Sequence, residues 1–242
     1  MADKRPVARS GKNEGRADYS TGQPPQLGQG MTPQSPTRQC KYLDRIATLP
    51  ETFTPEECKQ IINTGLNDWK KEDAKIQRDD GGEIKQNFVD DFDYRNTTLF
   101  IPPEPDEWLF SMILGAIMEF NNHATGYQFH VQGLAEPPNL MRYQAANIDK
   151  HRKPGHYDWH IDIGPGEVPS MRKISYTLIL NPDEYEGGEL CFHVGRTMDP
   201  YPGQDRIGNM IVFPSYLIHK VMPVTSGTRY ALVGWAHGNS FV

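Results

Sequence analysis

The sequence has few cysteines and no long apolar run, and each shortage excludes a class of protein. Cys40, Cys58 and Cys191 are odd in number and far apart, so they predict neither a disulfide framework nor a paired zinc motif. No stretch approaches the ~18 consecutive apolar residues that a membrane span needs. The N-terminus lacks the apolar run of a secretory signal. We therefore expect a soluble, cytoplasmic protein with reduced thiols and no membrane partner.

Isoleucine, phenylalanine and tryptophan are missing from the first 40 residues. Residues 1–41 carry seven Lys or Arg against three Asp or Glu, within a segment rich in Gly, Pro, Ser and Gln. Such a segment cannot bury enough apolar surface to offset its ordering entropy, so it predicts a disordered basic tail before a domain at 42–242. This domain keeps 18 of the 25 Lys and Arg and 28 of the 31 Asp and Glu. Its acidic balance predicts no nucleic-acid partner.

The remaining chain is rich in turn residues, with 22 Gly and 20 Pro, and this weighs against a helical bundle. Thr54-Pro55-Glu56-Glu57 has the pattern of a helix start, and a second helical periodicity begins near Asp106. A polar loop over 70–93 and a strand over 95–101 are expected between the two helices. Short β-type runs then follow one another, at 129–134, 139–144, 173–180, 189–194, 209–213 and 228–236. They predict a sandwich or a jelly-roll barrel.

Two histidines and one aspartate in the second half of the chain suggest a metal site. In His160-Ile161-Asp162 an imidazole and a carboxylate stand two residues apart, and on a strand such positions share one face. His219 lies near a later strand, and Arg229 opens the apolar run that follows, where a buried cation needs an anionic partner. Two His and one carboxylate form the facial triad that suits non-haem Fe(II) and leaves coordination positions open.

These residues stand within motifs that resemble a known family. From about Thr54 to Trp235 the sequence resembles the 2-oxoglutarate- and Fe(II)-dependent dioxygenases, in particular their prolyl 4-hydroxylase-like branch. The run from Asp183 to Leu190 is similar to the bacterial and phage PKHD-type hydroxylases. The other motifs are Met141-Arg142-Tyr143, Gly155 to Asp162, Lys173 to Asn181, His219, Arg229 and Trp235. The resemblance implies a mainly β (α+β) double-stranded β-helix, a cupin-like jelly roll with its core at about 129–238, and N-terminal supporting helices.

The resemblance also implies roles for individual residues. The implied catalytic iron ligands are His160, Asp162 and His219. Arg229 is similar to the family residue that pairs with the distal C5 carboxylate of 2-oxoglutarate, and the fork of a guanidinium suits a carboxylate. The residues implied to contact this cosubstrate or to line its pocket are Tyr143, Tyr157, Thr177 and Leu190. Some relatives carry a further tyrosine for the carboxylate where this chain has Ile179, so we expect the carboxylate to depend more on Arg229 and Tyr143.

The activity implied by the resemblance is the hydroxylation of an unactivated C–H bond by O₂. In this reaction 2-oxoglutarate is converted to succinate and CO₂, with L-ascorbate as the expected reductant. A prolyl or other amino-acid residue in a protein or peptide is the first expectation for the substrate, and a small metabolite or sugar is the alternative. A non-catalytic jelly-roll binding module is a further alternative, although the intact triad with Arg229 argues against it. The sequence indicates no oligomeric state.

Three other features complete the expectations. His156 and His160 stand four residues apart, as in a zinc-binding helix, but Tyr157 replaces the glutamate of that motif and the local sequence favours a strand. The segments 70–93 and 145–156 flank the expected pocket and are candidates for lids, with ordinary surface loops as the alternative. Further candidates for substrate contact are Arg172 and the loop 195–204.

Overall fold

A computed structural model describes residues 42–74, 76–78, 87–89, 91–146, 153–195 and 199–240. In this part of the chain lie helices α1 (Pro55–Asp68) and α2 (Glu107–Asn122) and two short 3-10 helices (Pro169–Met171 and Pro182–Glu184). The strands are β1 (Ala47–Leu49), β2 (Lys70–Asp73), β3 (Ile76–Arg78), β4 (Asn87–Val89), β5 (Arg95–Asn96), β6 (Thr98–Ile101), β7 (Asn139–Gln144), β8 (His156–His160), β9 (Arg172–Ile179), β10 (Tyr185–Gly187), β11 (Leu190–Phe192), β12 (Met210–Pro214), β13 (His219–Val221) and β14 (Val224–His237). The predicted tail at 1–41 and parts of both predicted lids lie outside the described residues. None of the described helices has both the length and the apolar character to cross a bilayer.

Two antiparallel sheets form the body of the fold. The larger sheet has the strand order β1-β12-β9-β14-β7-β6-β2, with β10 added to β14, and the smaller has the order β11-β13-β8-β5. Strands β3 and β4 form a separate pair. One apolar cluster joins the two sheets, with Ile179 and Phe213 from the larger and Leu190 and Phe192 from the smaller. Such a pair of sheets around a shared core is the predicted jelly roll.

Strand β9 shows how the larger sheet is covered on both faces. Thr177 lines the space between the sheets and Ile179 packs in the inter-sheet cluster, whereas Tyr176 and Leu178 belong to a second apolar cluster. Ile113 of α2 is fully buried in this second cluster, together with residues of α1. Because side chains alternate along a strand, one face of the larger sheet supports the helices and the other lines the space between the sheets.

Helix α1 begins at the residue that the sequence predicts. The hydroxyl of Thr54 accepts from the backbone N–H of Glu57, and the Glu57 carboxylate accepts from the backbone N–H of Thr54. Pro55 occupies the first helical position, where a missing N–H has no cost. The reciprocal capping box therefore satisfies two N–H groups at the helix start.

Replacing Thr54 by alanine is expected to lower the free energy of unfolding by about 1 kcal/mol, because the Glu57 N–H loses its acceptor. Urea unfolding followed by circular dichroism measures the change. Lys59→Ala, an exposed position in the same helix, serves as the control and should change stability by less than about 0.5 kcal/mol. A loss in the Thr54 variant no larger than in the control would contradict the capping role.

The prediction of a loop over residues 70–93 is wrong in part. Strand β2 occupies Lys70–Asp73 and pairs with β6 at the edge of the larger sheet, and β3 and β4 pair with each other. All four side chains of β2 are exposed, so the strand has no apolar face that would have revealed it in the sequence. Its pairing is made by backbone groups, and charged side chains suit an exposed sheet edge.

The prediction of a strand over residues 129–134 is also wrong. In this segment the structure has only an isolated bridge between Gly133 and His237. The buried side chain of Asn121 instead accepts from the N–H of Phe129 and donates to its carbonyl, at 3.0 and 2.9 Å. A side-chain amide thus satisfies the backbone groups that a neighbouring strand would otherwise have satisfied.

Candidate active site

The predicted metal ligands His160, Asp162 and His219 meet in the space between the two sheets. Strand β8 ends at His160 and β13 begins at His219, and these two residues are paired across the strands. Nε2 of His160 lies 3.7 Å from Oδ1 of Asp162, and Nε2 of His219 lies 3.6 Å from Oδ2. One candidate ligand atom from each residue lies within 4.8 Å of the other two. This spacing allows all three side chains to contact one ion.

Asp162 reaches this cluster by a route different from the predicted one. We expected His160 and Asp162 to share the face of one strand, but β8 ends at His160 and Asp162 lies in a bend beyond it. The Asp162 N–H donates to the carbonyl of Ser215 over 2.9 Å, and its own carbonyl accepts from Arg172 over 2.9 Å. The predicted proximity is confirmed, whereas its cause is tertiary hydrogen bonding and not the pleat of a strand.

Both imidazoles are oriented by their second ring nitrogen. Nδ1 of His160 donates to the carbonyl of Asp158 over 2.7 Å, and Nδ1 of His219 donates to the carbonyl of Leu217 over 2.9 Å. Because these carbonyls can only accept, each Nδ1 carries a proton, and Nε2 of each ring is the atom that faces Asp162. Hydrogen bonds of this kind fix the tautomer and the ring orientation of histidines that bind metals.

The charge states of these residues suit a cation. Burial, helped by the neighbouring His219, lowers the pKa of His160 to about 3, so its ring is neutral at physiological pH. Burial opposes ionisation of Asp162, but the histidines and the hydroxyl of Ser175, which donates to Oδ2 over 2.6 Å, hold its pKa below the usual value. Neutral imidazole and ionised carboxylate are the forms that coordinate metal ions.

Arg229 and Tyr143 face each other across β14 and β7. Arg229 is 1% exposed, and its guanidinium carbon lies 5.2 Å from the centre of the Tyr143 ring. Nε and Nη2 of Arg229 are buried and have no hydrogen-bond acceptor among the described residues. A buried cation with unsatisfied N–H groups is costly, so the pocket has a place for an anion beside this arginine.

Tyr157 stacks directly on one member of the triad. Its ring centre lies 3.5 Å from that of His160, and the guanidinium of Arg95 lies 4.3 Å from the Tyr157 ring centre. Burial raises the pKa of Tyr157 to about 12, so the phenol keeps its proton at physiological pH. The predicted location of Tyr157 beside the metal ligands therefore agrees with the structure.

All eight predicted site residues line one cavity of about 200 Å³. Thr177 and Leu190 contribute to its wall, from β9 of the larger sheet and β11 of the smaller. Sequence reasoning assigned no role to several other lining residues, namely Arg95, Leu99, Tyr176, Phe213, Val221 and Val233. Val233 could have been predicted from the sequence, because it lies four residues after Arg229 on the same strand and side chains two or four positions apart point to the same face. The two-residue strand that carries Arg95 has no such pattern.

The alternative of a zinc-binding helix is excluded by the local fold. His156 and His160 lie at opposite ends of strand β8, and not one turn apart on a helix. Both ring nitrogens of His156 contact backbone carbonyls, those of Pro154 and Asp93, at 2.9 Å. His156 is therefore held by structural contacts away from the triad.

Comparison with solved structures identifies the fold. Two facing antiparallel sheets with two helices form a double-stranded β-helix, as in a prolyl-4-hydroxylase from Pseudomonas putida (TM-score 0.54, 14% identity, covering 81% of this chain and 94% of that one). The same fold occurs in a prolyl hydroxylase from Trichoplax adhaerens, solved in complex with a hypoxia inducible factor oxygen degradation domain peptide fragment (TM-score 0.56, 16% identity, covering 79% and 83%). The predicted fold class is thereby confirmed.

Sequence comparison then finds similarity to a known superfamily over part of the chain. Residues 143–237, which include the triad and Arg229, match the 2OG-Fe(II) oxygenase superfamily. A PKHD-type hydroxylase from Xylella fastidiosa (strain M23) is 38% identical over 109 residues, covering 41% of this chain and 43% of the relative. The chain thus matches less than half of the length of this curated relative. The predicted resemblance to the 2-oxoglutarate- and Fe(II)-dependent oxygenases is confirmed for this segment.

Proposed function

We propose that the protein is an Fe(II)- and 2-oxoglutarate-dependent dioxygenase that hydroxylates an unactivated C–H bond. The observation that carries this proposal is the presence, in one cavity, of a triad of two histidines and one carboxylate and of a buried arginine with unsatisfied N–H groups. The triad supplies a metal site and the arginine supplies an anion site. Together they match the two components that such a reaction requires, a redox-active ion and a dicarboxylic acid.

The donor set fits Fe(II). His160, Asp162 and His219 offer two imidazole nitrogens and one carboxylate oxygen, which suits a divalent first-row ion and leaves coordination positions open. When bound, Fe(II) and 2-oxoglutarate supply the chemistry that activates O₂, releases succinate and CO₂ and hydroxylates the substrate, with L-ascorbate as the proposed reductant. The protein holds the three donors in place through hydrogen bonds from Nδ1 of both histidines and to the Asp162 carboxylate.

The anion site fits the distal carboxylate of 2-oxoglutarate. Nε and Nη2 of Arg229 form one edge of the guanidinium, and this edge can donate two parallel hydrogen bonds to a carboxylate. Tyr143 packs beside it and is the nearest proposed partner for the cosubstrate. Thr177 and Leu190 complete the proposed wall for the carbon chain between the two charged ends.

We further propose that the substrate is a prolyl or other amino-acid residue within a protein or peptide. Ile161, between two triad residues, lines the cavity and is 47% exposed, and Trp235 lines the same cavity. An exposed apolar side chain beside a reactive site favours contact with an apolar partner. The relative from Trichoplax adhaerens binds a peptide fragment, which supports the same substrate class.

The test is a screen for product formation with Fe(II), ascorbate and 2-oxoglutarate against separate pools of peptides, free amino acids and small metabolites including sugars. We expect succinate formation and a peptide product that is heavier by one oxygen atom, with the label of isotopic O₂ retained in the product. The Asp162→Ala variant in the same pools controls for oxidation by free iron.

Each other outcome of this screen has its own meaning. Label in a metabolite and in no peptide would replace the proposed substrate class while leaving the reaction type in place. Binding of 2-oxoglutarate with no iron-dependent O₂ consumption in any pool would contradict the proposed enzyme and favour a binding module.

The proposal also covers the cellular compartment, the domain that carries the activity and the partners of the protein. We propose that the protein acts in the cytoplasm through a domain that begins at residue 42, and that it has no nucleic-acid partner. The thiols of Cys58 and Cys191 are free in the described part of the chain, and reduced cysteines are typical of that compartment.

A further inference from the structure

Arg172 stands at the start of β9, where its guanidinium joins two parts of the fold. Nη1 donates to the backbone carbonyl of Asp162 over 2.9 Å. Nε and Nη2 donate to the two carboxylate oxygens of Glu136 over 2.7 and 2.5 Å, in a bidentate ion pair. The guanidinium carbon also lies 3.5 Å from the ring centre of Trp235. All three nitrogens of Arg172 are thus engaged, and the planar group is held on one face by an indole.

Glu136 is in turn fixed on its other side by His237. Nδ1 of His237 accepts from the backbone N–H of Ala135 over 3.0 Å, so the ring proton lies on Nε2 and donates to Oε2 of Glu136 over 2.9 Å. Burial opposes ionisation of Glu136, but His237 and Arg172 hold its pKa below the usual value. The carboxylate therefore stays ionised and keeps a single orientation.

The contacts from His237 through Glu136 and Arg172 end at Asp162, whose position is not set by strand pairing. Asp162 lies beyond β8, in a bend, and its backbone is held by the N–H bond to Ser215 and the carbonyl bond from Arg172. A rotation of this bend would move the carboxylate, which the hydroxyl of Ser175 alone would then orient. Metal ligands need a supporting shell that limits such movement to a fraction of an ångström.

We propose that Arg172, itself oriented by Glu136 and Trp235, is a positioning residue that preorganises Asp162 for metal binding. The inference rests on the proposed function, because it assumes that Asp162 is a metal ligand. It also gives Arg172 a role different from the predicted contact with substrate. The ion pair with Glu136 lies only partly exposed, at 15% and 24% of the two side chains, as a fixed support requires.

The experiment compares Arg172→Lys and Glu136→Gln with the wild-type chain. Lysine keeps the positive charge but cannot donate to Asp162 and Glu136 with a planar fork, and glutamine keeps the shape of Glu136 but removes its charge. Calorimetric titration with Mn(II) measures the Kd of the metal alone, and thermal unfolding without metal measures the stability of the fold. Glu72→Gln is the matched control, because Glu72 forms an exposed ion pair with Lys70 outside the cavity.

We expect the Kd for Mn(II) to rise roughly 10-fold or more in both variants and to stay unchanged in Glu72→Gln, as is typical when a residue supporting a metal ligand is lost. A Kd within two-fold (about 0.4 kcal/mol) of the wild type in Arg172→Lys and Glu136→Gln would overturn the inference, whatever the change in unfolding temperature. That result would leave the network as a purely structural support. Absence of Mn(II) binding by the wild type would instead contradict the proposed function.

Discussion

Replacing Asp162 by alanine is expected to abolish the formation of succinate from 2-oxoglutarate, by at least about 100-fold in rate. Asp162 is the anionic member of the triad, with Oδ1 3.7 Å from Nε2 of His160 and Oδ2 3.6 Å from Nε2 of His219. Without the carboxylate the two imidazoles supply no negative charge to offset the positive charge of a divalent cation. Succinate is measured by chromatography at saturating Fe(II) and 2-oxoglutarate, and His160→Ala is expected to give the same loss.

The control for this prediction is Asp183→Ala. Asp183 is exposed in a 3-10 helix and does not line the cavity, so its replacement removes the same chemical group without reaching the site. The control should form succinate at the rate of the wild type. Undiminished succinate formation in the Asp162 and His160 variants would contradict the metal site and, with it, the proposed dioxygenase activity.

Replacing Arg229 by glutamine is expected to raise the KM for 2-oxoglutarate roughly 30-fold or more, because the loss of one partner of a buried charge pair costs about 2 kcal/mol or more. The same change should leave the ligand-free protein at least as stable as the wild type. Nε and Nη2 of Arg229 make no hydrogen bond to the described residues, so the ligand-free protein carries a buried cation that costs stability. Opposite effects on binding and on stability distinguish a ligand-binding arginine from a structural one.

Thermal unfolding with and without 2-oxoglutarate, in the presence of Mn(II), tests both parts of this prediction. The cosubstrate should stabilise the wild type and stabilise Arg229→Gln much less. Arg206→Gln, at an exposed position, is the control and should behave like the wild type in both assays. A full stabilising effect of 2-oxoglutarate on the Arg229 variant would show that the carboxylate binds elsewhere.

Local patterns in the sequence predicted much of the fold. The capping box at Thr54 depends on residues three positions apart, so the start of α1 could be predicted from the sequence alone. The alternating side chains of β9 and β14 likewise follow from the two-residue period of a strand. The edge strand β2 has four exposed side chains and pairs through its backbone, and no side-chain pattern records such pairing. The start of α1 was predicted correctly because it depends on neighbouring residues, whereas β2 was missed because it depends on pairing with a strand further along the chain.

The candidate site divides in the same way. The motifs around His160 and Arg229 were sufficient to predict a metal triad and an anion-binding residue, because their residue types and order along the chain carry that chemistry. The positions of these side chains relative to one another depend on the pairing of β8 with β13 and of β7 with β14. The structure places all eight predicted residues in one cavity, whereas their individual roles stay predictions.

By itself, then, the sequence determined the fold class, the resemblance to a known superfamily over residues 143–237 and the types of group that meet at the site. Only the tertiary structure decided how Asp162 is held, since its supports come from Arg172 at the start of the next long strand and from Ser215, much further along the chain. The tertiary structure also decided that the guanidinium of Arg229 is buried, with Nε and Nη2 making no hydrogen bond to the described residues. The physical reason is that residue types fix which interactions are possible, while burial and distance, which arise from packing between sheets, fix which interactions are made.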